Sequence, residues 1–514
     1  MTRARLFVFV VIFFTFSCVP AGVSRARSYT ISFAGSIDSS RLDDPEIRAL
    51  SDALAYYLMG VIYDNFGRGE SAIAEYEKAL TRRQDIAEIY IKLGADFLLL
   101  GKLDEAAGTL KKAIEQEPEN VKSYLLLAVI HTARGEFEKA QVRYEEALKY
   151  DPDNLKVLTF LSDLFVIQQK LDKAAEIYEK ILRIRKDDAF VYFNLGIIYS
   201  KQNLFDKAEE NLRKAIEVDA DYLEAQMVLG FICEIEGKYP EAIEQYKKVA
   251  KIDSLNTEAY VRLGQLYYRL GDTERAIEQN RVLMRLDTGS PEPYLRNFSI
   301  YVSTKKYNEA EEVLKEALRN GLSNGVIYAS LGYLSSLKGD YKEAVDYYAV
   351  AAEKDPSDDT YRFYRAAAID KAGRRKDAVN ILEELVSEGT TLPEAYNYLG
   401  YMYVEEGKEL DRAVILIKKA ISIDPSNGAY IDSLGWAYYK MGMPDEALEQ
   451  LNKAVEYMPD DTVIRAHLGD VYFSKGELEK AALALESALK LDPGNREVRK
   501  KLEQIKGRLK RKKR

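Results

Sequence analysis

The sequence predicts an all-α solenoid: about 13 copies of one helix–turn–helix unit, closed by a C-terminal capping helix. Three observations predict it. Gly60, Gly94, Gly196, Gly230, Gly264, Gly332, Gly400, Gly435 and Gly469 lie on one ladder whose rungs stand at i and i+34, and a single longer step, i to i+35, separates Gly400 from Gly435. The remaining rungs are Ala128, Ser162, Phe298 and Ala366. An alanine stands at i+12 from each rung: Ala72, Ala106, Ala140, Ala174, Ala208, Ala242, Ala276, Ala310, Ala344, Ala378, Ala413, Ala447 and Ala481, with one extra residue before Ala413. Composition alone does not hold such a register, and internal periods of this length mark stacked repeats. Within each unit the apolar residues keep a helical period. In residues 87–120, Tyr90, Leu93, Gly94 and Phe97 recur at i, i+3, i+4 and i+7, which is one face of a helix.

The elements follow in chain order. Residues 1–18 read as an export signal: Arg3 and Arg5, then an apolar run of eleven residues from Leu6 to Phe16, interrupted only by Thr15 and too short to cross a bilayer. Two cleavage readings compete. "TFSC" is similar to a bacterial lipobox, which would make Cys18 the acylated mature N-terminus; the alternative is cleavage after Ala21. The expected result is an exported protein, held in the periplasm at the outer membrane by a lipid anchor. Residues 19–43, which contain Ser and Gly, would then be a tether reaching at most ~80 Å. With Cys18 and Cys233 as the only cysteines, no disulfide framework is expected.

Residues 44–290 carry about seven repeats and 325–495 carry five. In the unit 87–120, the first helix ends at Gly101 in the manner of a C-cap, and a second helix turns Ala106, Leu110 and Ala113 inward. Gly94 and Ala106 are small because the two helices cross there at close range. Pro118, Pro152, Pro356, Pro425, Pro459 and Pro493 prevent the second helix from continuing. The unit between the two arrays, 291–324, is degenerate: Asn297 and Phe298 replace Leu-Gly, Lys305 replaces a glycine, and Pro291 and Pro293 open it. It is expected to be a joint, or else an ordinary degenerate repeat. In 496–514, Val498, Leu502, Ile505 and Leu509 form one stripe on a single basic helix, the expected cap of the last repeat.

This pattern of small, aromatic and proline positions resembles the tetratricopeptide repeat (TPR) over residues 53 to about 495. The resemblance implies antiparallel helix pairs in a right-handed superhelix with a concave groove. In that family, positions 5, 9 and 12 of the first helix line the groove when the ladder residue is counted as position 8. Here they include Tyr57, Ile91, Leu125, Val129, Phe193, Ile197, Met227, Phe231, Tyr268, Tyr333, Phe363, Tyr401, Trp436, Tyr439 and Phe473. So many large apolar groups exceed what the fold requires, and they are expected to bind a partner polypeptide. Trp436, the one tryptophan, is expected to be displayed, the alternative being that it packs between neighbouring first helices. The Lys and Asn that hold a terminal carboxylate in chaperone-binding relatives do not recur, nor does the asparagine ladder of sugar-transferase relatives.

No catalytic set is evident. His131 and Cys233 occupy core positions, His467 has no Cys or His partner in sequence, and no phosphate-binding loop is present. No enzyme activity, cofactor or metal is expected. The chain carries a net charge of −9, divided between an acidic body and a tail with eleven Lys/Arg against two Glu from Arg496 onward. That tail could hold an anionic partner, but nucleic acid is not expected for an exported protein with an acidic body. The phrases "NYLGYMYVEEGKELDRAVILIKKAISIDP" and "IDSLGWAYYKMG" resemble envelope TPR lipoproteins of Gram-negative bacteria. That group includes adaptors that present substrates to a periplasmic protease. The resemblance implies a scaffold or adaptor with protein partners in the cell envelope. The alternatives are an accessory part of a secretion, pilus or exopolysaccharide machine, and the regulatory repeats of a glycosyltransferase system.

Overall fold

The structure, a computed structural model, describes residues 44–512. The signal, Cys18 and the 19–43 tether lie outside the described residues. Within these, 27 helices and no strands are present. The chain divides into two compact units between Lys186 and Asp187. The first contains eight helices, from Pro45–Asn65 to Leu171–Ile184, and the second contains nineteen, from Ala189–Lys201 to Arg496–Lys512. No helix among the described residues is long and apolar enough to cross a membrane.

One contact organises every helix pair. A large side chain at i+16 from the ladder position lies over it from the second helix. It is Tyr76, Leu110, Leu212, Tyr246, Tyr348, Leu451 or Leu485, and Ile417 fills the same place at i+17 from Gly400. A methyl group added at Gly94, Gly196, Gly230, Gly332, Gly400, Gly435 or Gly469 would stand within 3.0 Å of that side chain. At these rungs only glycine leaves room for it. The alanines at i+12 are fully buried, and the carbonyl of Ala106 comes within 3.5 Å of the same added methyl at Gly94. Gly264 is the exception. Its facing residue is Asn280, and nothing lies closer than 3.4 Å.

The corner between the two helices needs a left-handed residue, seven positions after the ladder. Gly101 takes it at φ 72°, and Gln169, Asn203 and Lys305 take it at φ 58–59° without glycine's freedom. Side chains then start the next unit: Asn120, Asn154, Asp188, Asn256, Asn324, Asp358, Asn427 and Asp461 each accept a backbone N–H at a first-helix N-terminus. The proline turn therefore both stops one helix and sets the cap of the next.

The degenerate repeat 291–324 lies inside the second unit. Tyr294, Phe298, Tyr301 and Leu314 form one apolar cluster with Met284 before them and Ile327 and Leu331 after. The division between compact units falls instead at 186–187, where the Ser162 repeat ends. At the other end, Val498, Leu502 and Ile505 are buried against Ala481, Leu485 and Ala488, so the basic helix covers the last repeat. Lys501 and Lys506 reach back to Asp470 and Glu486 at 2.8 and 2.7 Å, and the Arg508 guanidinium lies 4.8 Å over Phe473.

The ladder contact predicts opposite outcomes at two glycines. Gly435→Ala drives a methyl to 2.8 Å from Leu451 and should cost ~1–3 kcal/mol, as core overpacking does. Gly264→Ala meets only ordinary contacts and should be neutral or stabilise by ~0.5–1 kcal/mol through helix propensity. Urea midpoints followed by circular dichroism test both.

Candidate functional site: the face of the first helices

The structure divides the fifteen groove residues into three groups. Phe231, Tyr268 and Tyr333 are exposed. Tyr57, Val129, Phe193, Ile197, Met227, Phe363, Tyr401, Trp436, Tyr439 and Phe473 are half-buried. Ile91, 0% exposed, and Leu125 belong to the core and are no part of an open face. The cause for Ile91 is neighbour packing: it clusters with Tyr90 and Ala113, with Leu80 and Leu126 from adjoining repeats against it.

Several of the half-buried rings are already engaged. Phe193 lies 5.1 Å from Tyr222, Phe363 meets Tyr398 edge-on at 5.9 Å, and Phe473 is covered by Arg508. The three exposed groove residues, Phe231, Tyr268 and Tyr333, all lie in the second unit. There a cavity of about 430 Å³ is lined by Ala329, Tyr333, Ser336, Tyr341, Tyr348, Tyr364, Ala367, Ala368 and Lys371. The exposed Tyr364 ring packs between Tyr348 and Phe363, at 5.6 Å from each. Burial pushes the Tyr348 phenol up to about 12. No carboxylate lines this cavity. Tyr341, Tyr364 and Lys371 lie outside positions 5, 9 and 12, so sequence reasoning missed them. A signal was present: Ala329 and Ala367 are small residues at positions 5 and 9, where most units carry large ones, and they make the room.

Trp436 is not displayed. Its ring stacks on His467 of the next first helix at 4.0 Å, 14° from parallel, and on Tyr439 at 4.8 Å. It packs against the cluster of Val404, Ala413 and Leu434, and its buried Nε1 has no acceptor. The buried His467 Nδ1 is 2.9 and 3.1 Å from the two carboxylate oxygens of Asp432. Asp432, Trp436 and His467 thus clamp two adjacent repeats together. His131 is likewise buried, with Nδ1 2.6 Å from Glu136, whose carboxyl this contact holds below the usual range. Cys233 is fully buried, and burial raises its thiol to about 11, which leaves it a small apolar group. Among the described residues, no group of three or more His, Cys, Asp or Glu could hold a metal ion.

Comparisons with known proteins agree with the helix pairs. Models described as "Tetratricopeptide repeat" match residues 235–283 and 438–505, 295–359, and 393–427. The model "Cilia and flagella-associated protein 70 C-terminal domain" matches residues 38–258. The chain is a tetratricopeptide-repeat protein. The TPR chain is 31% identical over 135 residues to protein O-mannosyl-transferase TMTC1 of Homo sapiens, a match covering 26% of this chain and 15% of that one. It is 27% identical over 121 residues to photosystem I assembly protein Ycf3 of Cyanophora paradoxa, covering 20% of this chain and 69% of that one. Among solved structures, the APC/C hetero-tetramer Cut9–Hcn1 is similar at 16% identity and TM-score 0.41, over 90% of this chain and 98% of that one. Yeast Tom70 is similar at 18% identity and TM-score 0.39, over 90% and 96%.

The first TPR unit holds a buried acid pair. Asp96, 6% exposed, faces Asp64, which accepts the Tyr76 hydroxyl at 2.6 Å and lies 3.8 Å from the Lys92 ammonium. Asp64 Oδ1 and Asp96 Oδ2 are both buried without a donor. A proton on the Asp96 carboxyl would give both oxygens a partner. Burial, and then the Asp64 charge, push the Asp96 carboxyl up to about 7.

Two outcomes follow. An acid whose folded pKa is raised stabilises the fold fully below its unfolded value of about 3.9 and loses that contribution as pH rises toward about 7. Urea midpoints of the first unit should therefore fall between about pH 4 and 7, and Asp96→Asn should flatten that slope. Trp436→Ala should destabilise the C-terminal repeats by ~2 kcal/mol, since a half-buried stacked ring is lost. A thermal melt unchanged by that substitution would mean that the ring is displayed after all.

Proposed function

We propose that this protein is a non-catalytic scaffold or adaptor of the cell envelope. In this reading it holds a segment of a partner polypeptide on the first-helix face of residues 187–512, and by doing so assembles a protein complex. The observation that carries the reading is the tyrosine-lined cavity at Tyr333. It offers rigid aromatic side chains on a helical framework, the usual anchors of a protein-binding surface, and its volume suits one or two bulky side chains.

Three further points support it. The residue types that could do chemistry are used structurally: His467 in the Trp436 clamp, His131 with Glu136, and Cys233 in the core. Arg3, Arg5 and the apolar run Leu6–Phe16 favour export, and Cys18 favours a lipid anchor at the outer membrane. A relative named as an assembly protein matches over most of its own length.

The test is capture from detergent-solubilised envelopes with the protein immobilised. The double variant Tyr333→Ala/Tyr364→Ala should lose its specific partners, about tenfold or more in recovery, with helicity unchanged. Recovery of a protease together with its substrates supports the adaptor reading, whereas secretin or polymerase subunits point to a machine component. Identical partners for variant and parent would overturn the groove.

A further inference from the structure

Gly264 is the one ladder glycine whose large facing side chain is missing. Of the thirteen repeats, twelve carry Tyr, Leu or Ile at that place on the second helix, and this one carries Asn280. A second departure accompanies it. Asn297 occupies the place just before the ladder residue, usually Leu, and the Asn280 amide donates to the Asn297 carbonyl oxygen at 2.8 Å. Both asparagines are buried, 3% and 1% exposed. A hydrogen-bonded amide pair thus stands where other repeats carry apolar residues, and the shorter Asn280 leaves more room above Gly264 than the large side chains leave at the other ladder glycines.

That space is a cavity of about 260 Å³ lined by Gly264, Gln265, Tyr268, Asn280, Arg296, Ser299 and Ile300. It opens between the first helices Thr257–Arg269 and Glu292–Ser303, on the same face as the Tyr333 cavity and two repeats before it. Its lining offers donors from the Arg296 guanidinium, the Gln265 amide, the Tyr268 phenol and the Ser299 hydroxyl, while the Asn280 N–H is spent on Asn297 and its carbonyl oxygen faces Gly264. No Asp or Glu lines it, although the chain carries 83 of them. Arg296 makes no ion pair among the described residues. Glu292, one turn before it, takes the Ser290 hydroxyl at 2.5 Å, and that bond, more than the Arg296 charge, holds its carboxyl below the usual range.

We infer that this cavity is a carboxylate-binding subsite that receives an acidic group of the polypeptide held on the first-helix face. The inference rests on the proposed polypeptide binding and adds to it a chemical preference. Half-buried Arg296 supplies the charge-assisted hydrogen bonds, Gln265, Ser299 and Tyr268 supply neutral donors, and the Asn280–Asn297 pair keeps the opening polar. Gln265, Ser299 and Tyr268 can turn to either partner, so the preference for a carboxylate over the isosteric amide comes from Arg296, whose guanidinium donates only and pairs with the charge.

The test uses small probes, so that it does not depend on the partner. The Ile300 δ1 methyl is observed by NMR in the labelled protein while N-acetyl-glutamate amide, N-acetyl-glutamine amide or N-acetylglycine is added. The glutamate probe should shift the Ile300 signal and bind about tenfold more tightly than the glutamine probe. A comparable response to N-acetylglycine would assign the subsite to a chain terminus, and a response to glutamate alone would assign it to a side chain; both support the inference. Arg296→Gln should erase the preference. The double variant Asn280→Leu/Asn297→Leu, which restores the residue types of the other repeats and leaves neither buried amide unpaired, should abolish the response with helicity unchanged. Equal responses to glutamate and glutamine, or none at Ile300, overturn the inference. In a selection of displayed linear peptides, enrichment that ignores acidic residues and is unchanged by Arg296→Gln overturns the subsite while leaving polypeptide binding intact.

Discussion

The close approach of two helices at a residue without a side chain is the constraint on which this structure depends. A glycine on the first helix receives a Tyr, Leu or Ile from the second, and an alanine one turn before that large residue keeps the backbones near. The exchange works because packing is dense: the large side chain fills the volume that a Cβ would occupy, and little is left over. A rung occupied by Ala, Ser or Phe shows how far the contact can bend. At Ser162 the hydroxyl donates to the Ala174 carbonyl at 2.8 Å, so a polar rung satisfies itself across the same gap.

Much of this was legible in the sequence because it is local. The ladder, the alanine register, the glycine corners and the cap stripe of Val498, Leu502 and Ile505 all depend on residues within one repeat or at its immediate border. Asn120, closely following Pro118, announces both a stop and a start. The degenerate repeat shows where reading by pattern falls short. Lys305 lacks the glycine expected at its corner but takes the left-handed conformation regardless, and Phe298 is buried where a glycine was expected. Tertiary packing overrides the missing residues.

The candidate site was only partly legible, for a physical reason. Positions 5, 9 and 12 fix a direction on one helix, but exposure depends on what the neighbouring helix carries. Ile91 points the same way as Tyr57 and is buried, because adjoining repeats bring Leu80 and Leu126 over it. Trp436 shares position 9 with the exposed Tyr333, yet His467 lies against its ring. Conversely, the Tyr333 cavity was hidden in the small residues Ala329 and Ala367, which say nothing of binding until Tyr333 and Tyr364 are seen around them.

Asn280 carries a broader consequence. Because a repeat leans only on its immediate neighbours, a hole opened in one does not loosen those further along. The array can therefore be altered link by link. A lost methyl here or an exchanged amide there carves a new niche, while the remaining links keep the chain upright. What looks like a defect in a regular pattern is a place where such a protein can acquire a new taste in ligands at small risk to its own folding.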